Sequence, residues 1–204
     1  MYNGSVETNG LIGIGLLGSA LAERLIGAKL PLVGYDVDPA GGARLTALGG
    51  RSLDSAQAVA RACRRVLLSL PNSTIARAVV AEIEPVLQPG AIIIDTTTGD
   101  PHEMVALGER LSQRGVGYVD ATVGGSSRQA RTGEAIIMAG GNPDVLAQCA
   151  DIFEACSAQV FKVGPCGTGA FMKLVFNLVL GFIAPCWPKG SRLQKAAGFA
   201  PKTR

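Results

Sequence analysis

A short apolar run that ends in closely spaced glycines constrains the fold of this chain more than any other stretch. Residues 11–22 read LIGIGLLGSALA, in which three glycines follow a G-x-G-x-x-G spacing ahead of a helix. The first glycine permits a tight strand-to-helix turn, the second lets a pyrophosphate approach the backbone, and the third lets the helix pack on the strand. Free N–H groups at the helix start favour an anion there. The predicted phosphate-binding residues are Gly13, Ile14, Gly15, Leu16, Leu17 and Gly18.

An acid that follows the next strand supports the same interpretation. Residues 32–35 form a second short apolar strand that runs into Asp36, 18 residues after Gly18. An aspartate at this distance can accept hydrogen bonds from both hydroxyls of a ribose, and its charge would repel a 2′-phosphate. We therefore expect NAD rather than NADP as the cofactor. The alternative is a glycine-rich turn in another α/β protein, in which Asp36 only caps a helix.

Beyond Asp36, short apolar strands alternate with helices, a pattern typical of a parallel sheet covered on both faces. The predicted strands are 66–70, 91–95, 117–121, 135–139 and 160–163, and the predicted helices are a short one within 37–50, then 52–61 with Asp54 as its cap, 74–87, 104–114 and 142–155. Right-handed crossovers would make the sheet mostly parallel. The predicted fold class is α/β, with a doubly wound sheet of the Rossmann type.

Turn-forming and polar residues follow the ends of three of these strands. Ligands bind outside the carboxyl ends of the strands in open α/β sheets, so we expect the end of strand 66–70, at Leu70, Pro71 and Asn72, to face a ligand. Thr97 follows strand 91–95, and Gly124, Gly125 and Ser126 follow strand 117–121.

Composition and charge argue against several classes of function. The net charge of +3 is small and scattered, so no nucleic-acid-binding face is expected. The apolar run 174–184 is too short to span a bilayer, and the N-terminus lacks the features of a signal peptide. Five cysteines, without a C-x-x-C pair, indicate reduced thiols and a cytoplasmic protein. The one histidine, His102, has no thiol pair beside it, so no metal site is expected.

A second constellation lies in residues 164–181, which read GPCGTGAFMKLVFNLVLG. Glycines open the segment, and a nearly all-apolar helix follows in which Lys173 and Asn177 lie one turn apart on one face. Apolar surroundings favour the neutral form of a lysine, which makes it useful as an acid or base near neutral pH. The alternative is a lysine whose stem packs on the surface while its ammonium reaches water. The spacing alone does not decide between them.

Four motifs resemble, in order, those of the β-hydroxyacid dehydrogenase family, which contains 3-hydroxyisobutyrate dehydrogenase, tartronate semialdehyde reductase and, more distantly, 6-phosphogluconate dehydrogenase. They are GLIGIGLLGSALA at 10–22, DTTT at 95–98, DATVGGSS at 120–127 and GTGAFMKLVFN at 167–177. The resemblance implies an NAD-dependent oxidoreductase that acts on a small β-hydroxy acid and forms a homo-oligomer.

The resemblance also implies roles for individual residues. Lys173 corresponds to the catalytic acid or base, Asn177 orients the substrate, and Thr97 lies beside the nicotinamide. The loop that holds the substrate carboxylate contains Gly124, Gly125 and Ser126.

Three departures from the family pattern leave the identity of the substrate open. Thr122 replaces a proline, Gly124 stands where the family has a substrate-binding serine, and Phe176 replaces the first of two asparagines. Ser126 or Ser127 could supply the missing hydroxyl from a shifted position.

The resemblance is interrupted after residue 181 and returns over residues 195–201, KAAGFAP, which are similar to the end of the family's helix. In the family this helix continues between two domains, and an all-helical domain follows that closes the site and carries most of the dimer contact. Here Pro185 and Pro188 are expected to break the helix. We predict an NAD-binding domain over 1–163 and, over 164–204, only the start of the interdomain helix with a tail. The tail is either divergent sequence or, over 182–194, the product of a shifted reading frame.

Two consequences follow from this expectation. An apolar helix face that includes Val175, Leu178 and Val179 would be exposed and would promote association. The chain could also be a catalytically inactive fragment that still binds NAD. A third possible function is that of an unrelated nucleotide-binding regulatory module. The spacing of Lys173 and Asn177, which matches that of the family, argues against it.

Overall fold

The computed structural model describes residues 7–196, with side chains described up to residue 182. Within this part of the chain, eight strands form one sheet with helices on both faces. The strands are β1 (Asn9–Ile12), β2 (Leu32–Tyr35), β3 (Arg51–Ser52), β4 (Arg65–Leu68), β5 (Ile92–Asp95), β6 (Gly117–Gly124), β7 (Ile136–Gly141) and β8 (Gln159–Gly164). The helices are α1 (Leu16–Gly27), α2 (Pro39–Ala47), α3 (Ala56–Ala62), α4 (Ser73–Ile83, followed by a 3-10 turn at Glu84–Val86), α5 (Pro101–Ser112), α6 (Ser127–Thr132), α7 (Pro143–Ala147), α8 (Ala150–Cys156) and α9 (Thr168–Ala196).

The order of the strands in the sheet is β3-β2-β1-β4-β5-β6-β7-β8, so the chain winds outwards in both directions from β1. Neighbouring strands are parallel except β6 and β7, which are antiparallel. A parallel crossover needs about a dozen residues or more, and the link 125–135 is shorter. The predicted mostly parallel, doubly wound fold of the Rossmann type is confirmed. The strand order reverses between β1 and β4, where such folds bind ligands.

Helices on both faces explain the unbroken apolar runs of the central strands. In β5, Ile92 and Ile94 belong to one core, which α1 and α8 close, and Ile93 belongs to the other, which α4 and α5 close. All three side chains are at most 2% exposed. The loops at the carboxyl edge therefore extend from strands that are buried on both faces.

The start of the third helix differs from the prediction. The predicted helix 52–61 begins later, because residues 51–52 pair with β2 as the edge strand β3. The predicted cap, Asp54, is also wrong. The hydroxyl of Ser55 accepts the capping hydrogen bond from the backbone N–H of Ala58, at 3.1 Å.

The predicted single helix 142–155 consists of two helices, α7 and α8, which meet at residues 148–149. The buried side chains Leu146, Cys149 and Ile152 keep a spacing of three residues across this break. Hydrophobic periodicity is the same on both sides of the break, so the sequence does not show it.

Helix α9 continues to Ala196, so the prediction that Pro185 and Pro188 end it is wrong. An interior proline removes one N–H group and costs about 3 kcal/mol, but the residues on either side still form helical hydrogen bonds. Side chains from residue 183 onwards and all of residues 197–204 lie outside the described part. Both interpretations of the tail, the divergent sequence and the shifted reading frame over 182–194, fall there.

The start of α9 carries an exposed apolar stripe. Val175, Leu178 and Val179 are 39%, 60% and 48% exposed, as predicted. Between residues 7 and 196, the structure contains no helix that is long and apolar enough to cross a membrane.

Candidate active site

The glycine-rich turn between β1 and α1 fits the phosphate group that the sequence predicts. Gly13 has a φ of +91°, and a Cβ there would collide with the carbonyl oxygen of Ser69. A Cβ on Gly18 would collide with the carbonyl of Gly13, so the helix packs directly on the turn. A Cβ on Gly15, in contrast, would have no atom within 4 Å. The second glycine therefore leaves open space above the helix start, the cradle that a pyrophosphate requires.

The carboxylate of Asp36 is tied to this turn. Its Oδ2 accepts a hydrogen bond from the backbone N–H of Ile14 at 2.5 Å, and its Oδ1 accepts one from that of Asp38 at 2.8 Å. Each carboxylate oxygen has a second lone pair, so ribose hydroxyls can still bind. The guanidinium of Arg44 donates to the carbonyl of Ile14 at 2.8 Å and lies 3.9 Å from Asp38. The acid and the phosphate turn therefore form one hydrogen-bonded unit.

A cleft of about 270 Å³ lies beside this unit, and we call it the dinucleotide cleft. Five of the residues predicted for cofactor binding line it, which are Gly13, Gly15, Asp36, Leu70 and Pro71. Its wall also includes residues that the sequence interpretation missed, among them Tyr35, Val37, Ile75, Val79 and Glu82. The last three are spaced by four and three residues on or near α4, which is the signal that could have found them.

Other predicted cofactor residues support the cleft instead of lining it. The side chain of Asn72 accepts a hydrogen bond from the backbone N–H of Ile75 at 3.0 Å and so caps α4. Leu16 and Leu17 occupy the first turn of α1, where the backbone N–H groups lack helical acceptors. The side chain of Leu16 is 77% exposed, so its backbone is what the turn offers to a ligand.

Thr97 is held from two sides. Its backbone N–H donates to Asp95 at 2.9 Å, and its hydroxyl accepts a hydrogen bond from the N–H of Leu70 at 3.4 Å. Asp95 is fully buried and also accepts a hydrogen bond from the hydroxyl of Tyr118 at 2.8 Å. Burial raises the pKa of Asp95, and the bonds from Thr97 and Tyr118 offset this only in part. Two residues predicted for the same site, Thr97 and Leu70, are thus in direct contact.

The predicted substrate loop begins later than expected, because β6 continues past residue 121 to Gly124, which pairs with Ile136 of β7. Asp120 in β6 pairs level with Asp95 in β5, and β6 continues four residues further, to Gly124. At about 3.3 Å per residue, this places Gly124 roughly 13 Å past that level. A Cβ on Gly124 would lie 2.8 Å from Cγ1 of Ile136. Ile136 therefore occupies the space that a serine side chain at position 124 would need.

The hydroxyl of Ser126 is already used within the chain. It accepts a hydrogen bond from the N–H of Gln129 at 3.2 Å, and the side chain of Gln129 accepts one from the N–H of Ser126 at 2.9 Å. This reciprocal capping box fixes the start of α6. The serine was predicted from a shifted family position, and its capping role was not.

Lys173 is buried to 8% exposure on α9, and its ammonium lies 5.1 Å from the centre of the Phe176 ring. Burial lowers the pKa of this lysine. Asn177, one turn further on, is exposed. Within the described residues, the wall of the dinucleotide cleft includes neither of these two side chains nor the substrate loop. The predicted residues therefore form two groups, one at β1, β2 and β4 and one along β6 and α9.

Comparison with known proteins identifies the family of this chain. The family model described as the NAD binding domain of 6-phosphogluconate dehydrogenase matches residues 8–164. The chain is 28% identical over 197 residues to 2-(hydroxymethyl)glutarate dehydrogenase of Eubacterium barkeri, covering 95% of this chain and 65% of that protein. It is 29% identical over 196 residues to mitochondrial 3-hydroxyisobutyrate dehydrogenase of Mus musculus, covering 95% of this chain and 58% of that protein.

A solved structure shows the same fold. The 3-hydroxyisobutyrate dehydrogenase of Mycobacterium tuberculosis with L-serine superposes with a TM-score of 0.87 at 22% sequence identity, covering 96% of this chain and 67% of that one. The chain thus spans 58–65% of the length of the two curated relatives named above.

Proposed function

Since the chain belongs to the family of the NAD binding domain of 6-phosphogluconate dehydrogenase, we propose that it is an oxidoreductase that transfers hydride between NAD and a small β-hydroxy acid. The observation that carries the proposal is the combination of a glycine turn with open space for a pyrophosphate at Gly15 and a buried lysine, Lys173, on α9. Both relatives named above are dehydrogenases of small hydroxy acids. The proposed domain boundary lies at residues 163–164, where the family match also ends.

The dinucleotide cleft would hold NAD through the chain's own groups. The open space at Gly15 and the free N–H groups of the first turn of α1 would take the pyrophosphate, and Asp36 would accept the ribose hydroxyls. A 2′-phosphate would stand against the carboxylate of Asp36, which favours NAD over NADP. Ile75 and Val79 offer an apolar wall to the adenine.

Lys173 would move the proton. NAD, when bound, accepts the hydride from the carbon that carries the hydroxyl group. Neutral Lys173 accepts the hydroxyl proton at Nζ, and burial, which lowers its pKa, raises the neutral fraction near neutral pH. In the reverse direction the ammonium returns that proton to the carbonyl oxygen.

The loop after β6 would hold the substrate carboxylate. Gly124 ends β6 and Gly125 begins the loop, where its φ of +129° is a conformation that favours glycine. The hydroxyl of Ser126 caps α6, so the backbone of this loop and Ser127 are the groups left for the substrate. Asn177, one turn from Lys173, would orient the substrate from the other side.

A specific observation favours a second candidate function, an NAD-binding protein without turnover. Met172 and Leu174, which flank Lys173, are 41% and 45% exposed, and Asn177 is exposed as well. Hydride transfer works best when water is excluded. Lys173 itself is 8% exposed, but within the described residues the surface of α9 around Asn177 is open, so a catalytic complex would need a further surface there. A homo-oligomer, as the family resemblance implies, is the partner that we propose.

The state of the cysteine thiols indicates the cellular compartment in which the protein works. Cys63, Cys149, Cys156 and Cys166 are all free, and burial raises the pKa of the first three to about 11, about 12 and about 12. Free, unreactive thiols suit a reducing compartment, and we propose the cytoplasm.

A comparison of Lys173→Met with Lys162→Met tests the function. Lys162 is an exposed lysine on β8 and serves as the matched control. Oxidation of a panel of small β-hydroxy acids with NAD is followed by absorbance, and NADH affinity by fluorescence. We expect K173M to lower kcat by about 10²–10⁴-fold with an unchanged NADH Kd, and K162M to behave as wild type.

The change of the oxidation rate with pH tests whether neutral Lys173 acts as the base. Only the neutral amine accepts a proton, so wild-type oxidation should slow as pH falls through the pKa of Lys173, and K173M should lack this limb. Wild-type NADH binding without turnover would support the second candidate. Wild-type turnover in K173M would overturn the assigned role.

A further inference from the structure

The first turn of α9 is fastened to β6 by a buried carboxylate. Asp120, which is 0% exposed, accepts a hydrogen bond from the N–H of Gly167 at 2.8 Å through Oδ1 and one from the N–H of Ala170 at 2.8 Å through Oδ2. These two donors lie just before and within the first turn of the helix. A charged acceptor makes such bonds roughly twice as strong as neutral ones. Asp120 thus caps α9 from a strand that lies about 50 residues earlier in the chain.

A second anchor lies two residues along the same strand. Thr122, also 0% exposed, donates its hydroxyl hydrogen to the carbonyl oxygen of Gly169 at 2.9 Å. A Cβ on Gly169 would lie 2.5 Å from the carbonyl oxygen of Met138 in β7 and 2.7 Å from that of Asp120. The backbone of the helix therefore packs directly on β6 and β7. Asp120 binds N–H groups at its start, and Thr122 binds one of its carbonyl groups.

Lys173 lies on the turn that follows these anchors. It is three residues after Ala170 and four after Gly169, the spacings that place side chains on the same helix face. Burial is the cause that lowers its pKa. A change in the position of the helix that exposes Lys173 to water would therefore change that pKa.

We propose that Asp120 and Thr122 are positioning residues. They fix where the first turn of α9 lies on β6 and how the helix is rotated about its axis, and they thereby keep the side chain of Lys173 buried. The inference rests on the proposed function, because it concerns the residue assigned there as acid or base. It also gives a reason for the threonine at position 122, where the related family has a proline, which has no hydroxyl to donate.

Two substitutions remove the anchors with little change of shape. Asp120→Asn keeps one oxygen acceptor but turns an N–H donor towards the other backbone N–H, so one of the two bonds is lost. Thr122→Val removes only the hydroxyl, and Thr122→Ser retains it. If D120N fails to fold, the T122V and T122S pair still tests the proposal.

The first readout is the pKa of Lys173 itself, from pH-dependent acylation of the lysines read by mass spectrometry. The other titratable groups around Asp120 are Asp95 on β5, Tyr118 on β6 and Cys166 before α9. Burial raises the pKa of Tyr118 well above its usual value and that of Cys166 to about 12, and raises that of Asp120 to about 6. Between about pH 7 and about pH 10, the midpoints of Tyr118, Cys166 and Asp120 are not crossed. The change in acylation measured in this range therefore reports the titration of Lys173.

In D120N and T122V a looser helix lets water reach the ammonium, so the pKa of Lys173 should rise towards the ordinary lysine value. T122S should match wild type. We expect kcat in both disrupted variants to fall by about tenfold to a hundredfold while NADH Kd stays the same, because the dinucleotide cleft is elsewhere. Asp151→Asn on α8, which weakens the protein away from α9, is the control for general destabilisation and should leave the pKa of Lys173 unchanged.

The outcomes separate this inference from the proposed function. A Lys173 pKa that stays at the wild-type value in D120N and T122V overturns the positioning role, whatever the activity. A wild-type pKa that is not lowered at all, or full activity in K173M, counts against the assigned acid–base function instead. A raised pKa in both variants, with rescue in T122S, supports the positioning role even if no substrate in the panel turns over.

Discussion

At the scale of single residues, Asp36 performs two tasks with one carboxylate. It holds the phosphate turn through the N–H groups of Ile14 and Asp38, and it would meet the ribose of the bound cofactor. The sequence predicts the second task from the distance to Gly18. The first could not be predicted, because it depends on how close β2 brings the acid to the turn.

We predict that Asp36→Asn weakens NADH binding by about tenfold to a hundredfold, since it loses charge-assisted hydrogen bonds to the ribose worth about 1.5–3 kcal/mol. The preference for NADH over NADPH should narrow at the same time, because the repulsion of a 2′-phosphate is removed. Fluorescence titration with both nucleotides measures this.

Asp38→Asn is the matched control for this prediction. It changes an exposed acid two residues away, and asparagine caps a helix as well as aspartate does, so α2 keeps its cap. An equal loss of NADH affinity in D36N and D38N would contradict the prediction, because the negative charge of the region, and not a contact with the ribose, would then determine the affinity.

The residues around the substrate loop show where sequence reasoning stops. The family pattern marks position 124 as a departure but gives no reason for it, whereas the structure shows Ile136 in the space of the missing side chain. Ser126 was assigned to the substrate because of its hydroxyl, yet that hydroxyl caps α6. Ile136 lies 12 residues from position 124 and comes into contact with it only through the fold. The capping box of Ser126 and Gln129, in contrast, has the local spacing S-x-x-Q and could have been recognised in the sequence.

At the scale of elements, the sequence pattern predicted most strands and helices and a mostly parallel sheet, but not the antiparallel direction of β7 or the break between α7 and α8. The apolar run of β5 could be recognised because both of its faces are buried. The antiparallel pairing of β6 and β7 was missed, because their short connection through α6 carries no sequence signal for the direction of β7. The anchors of α9 on β6 were missed as well, because the contact between Asp120 and Gly167 spans 47 residues of sequence.

An ion pair joins β4 to α8 at the amino end of β4, the end away from the dinucleotide cleft. Arg65 is 6% exposed and donates two hydrogen bonds to Asp151 on α8, at 2.5 and 2.9 Å. Burial acts to raise the pKa of Asp151, but the hydrogen bonds and charge of Arg65 outweigh it, and the pKa is lowered. The side chain of Asp151 is 46% exposed, which limits the strength of the pair.

We predict that Asp151→Asn lowers the free energy of unfolding by about 1–3 kcal/mol at neutral pH, less than the roughly 3–5 kcal/mol of a fully buried pair. Because the pKa is lower in the folded state, the contribution is present above the ordinary value of 3.8 and disappears as pH falls through the folded-state value. Urea unfolding at neutral and at acid pH measures both effects.

Glu103→Gln provides the comparison for the ion pair, because Glu103 pairs at 3.1 Å with Arg77, whose side chain is 53% exposed. An exposed pair of this kind contributes at most about 1 kcal/mol. A D151N variant no less stable than E103Q would contradict the importance of the Arg65 contact.

At the scale of the whole molecule, the exposed apolar stripe on α9 is the feature that sets solution behaviour. It consists of Phe171, Leu174, Val175, Leu178, Val179 and Phe182, each 39–70% exposed. Contiguous apolar surface of this kind marks an interaction site or a liability for aggregation. The same stripe flanks Lys173, so its covering and the closure of the site are linked.

We predict that the chain associates in a concentration-dependent manner and binds a hydrophobic dye, and that Leu178→Glu reduces both. The control is Phe161→Glu on β8, which replaces an exposed apolar side chain, 51% exposed, outside the stripe. Sedimentation velocity and dye fluorescence measure the two properties. A monodisperse wild-type monomer without dye binding would refute the prediction.

The measurement that bears most directly on the whole interpretation is an NADH titration of wild type and Gly15→Ser, with an unfolding curve for each. The backbone at Gly15 is extended with a negative φ of −74°, a Cβ there would meet no atom within 4 Å, and serine is a better N-cap than glycine, so the stability of G15S should be retained. Its side chain would fill the space for the pyrophosphate, so the affinity should fall by about tenfold to a hundredfold or more. Saturable wild-type binding that is lost in a fully folded G15S is the expected result. Absence of wild-type binding, or equal binding by G15S, would contradict a dinucleotide site at this turn.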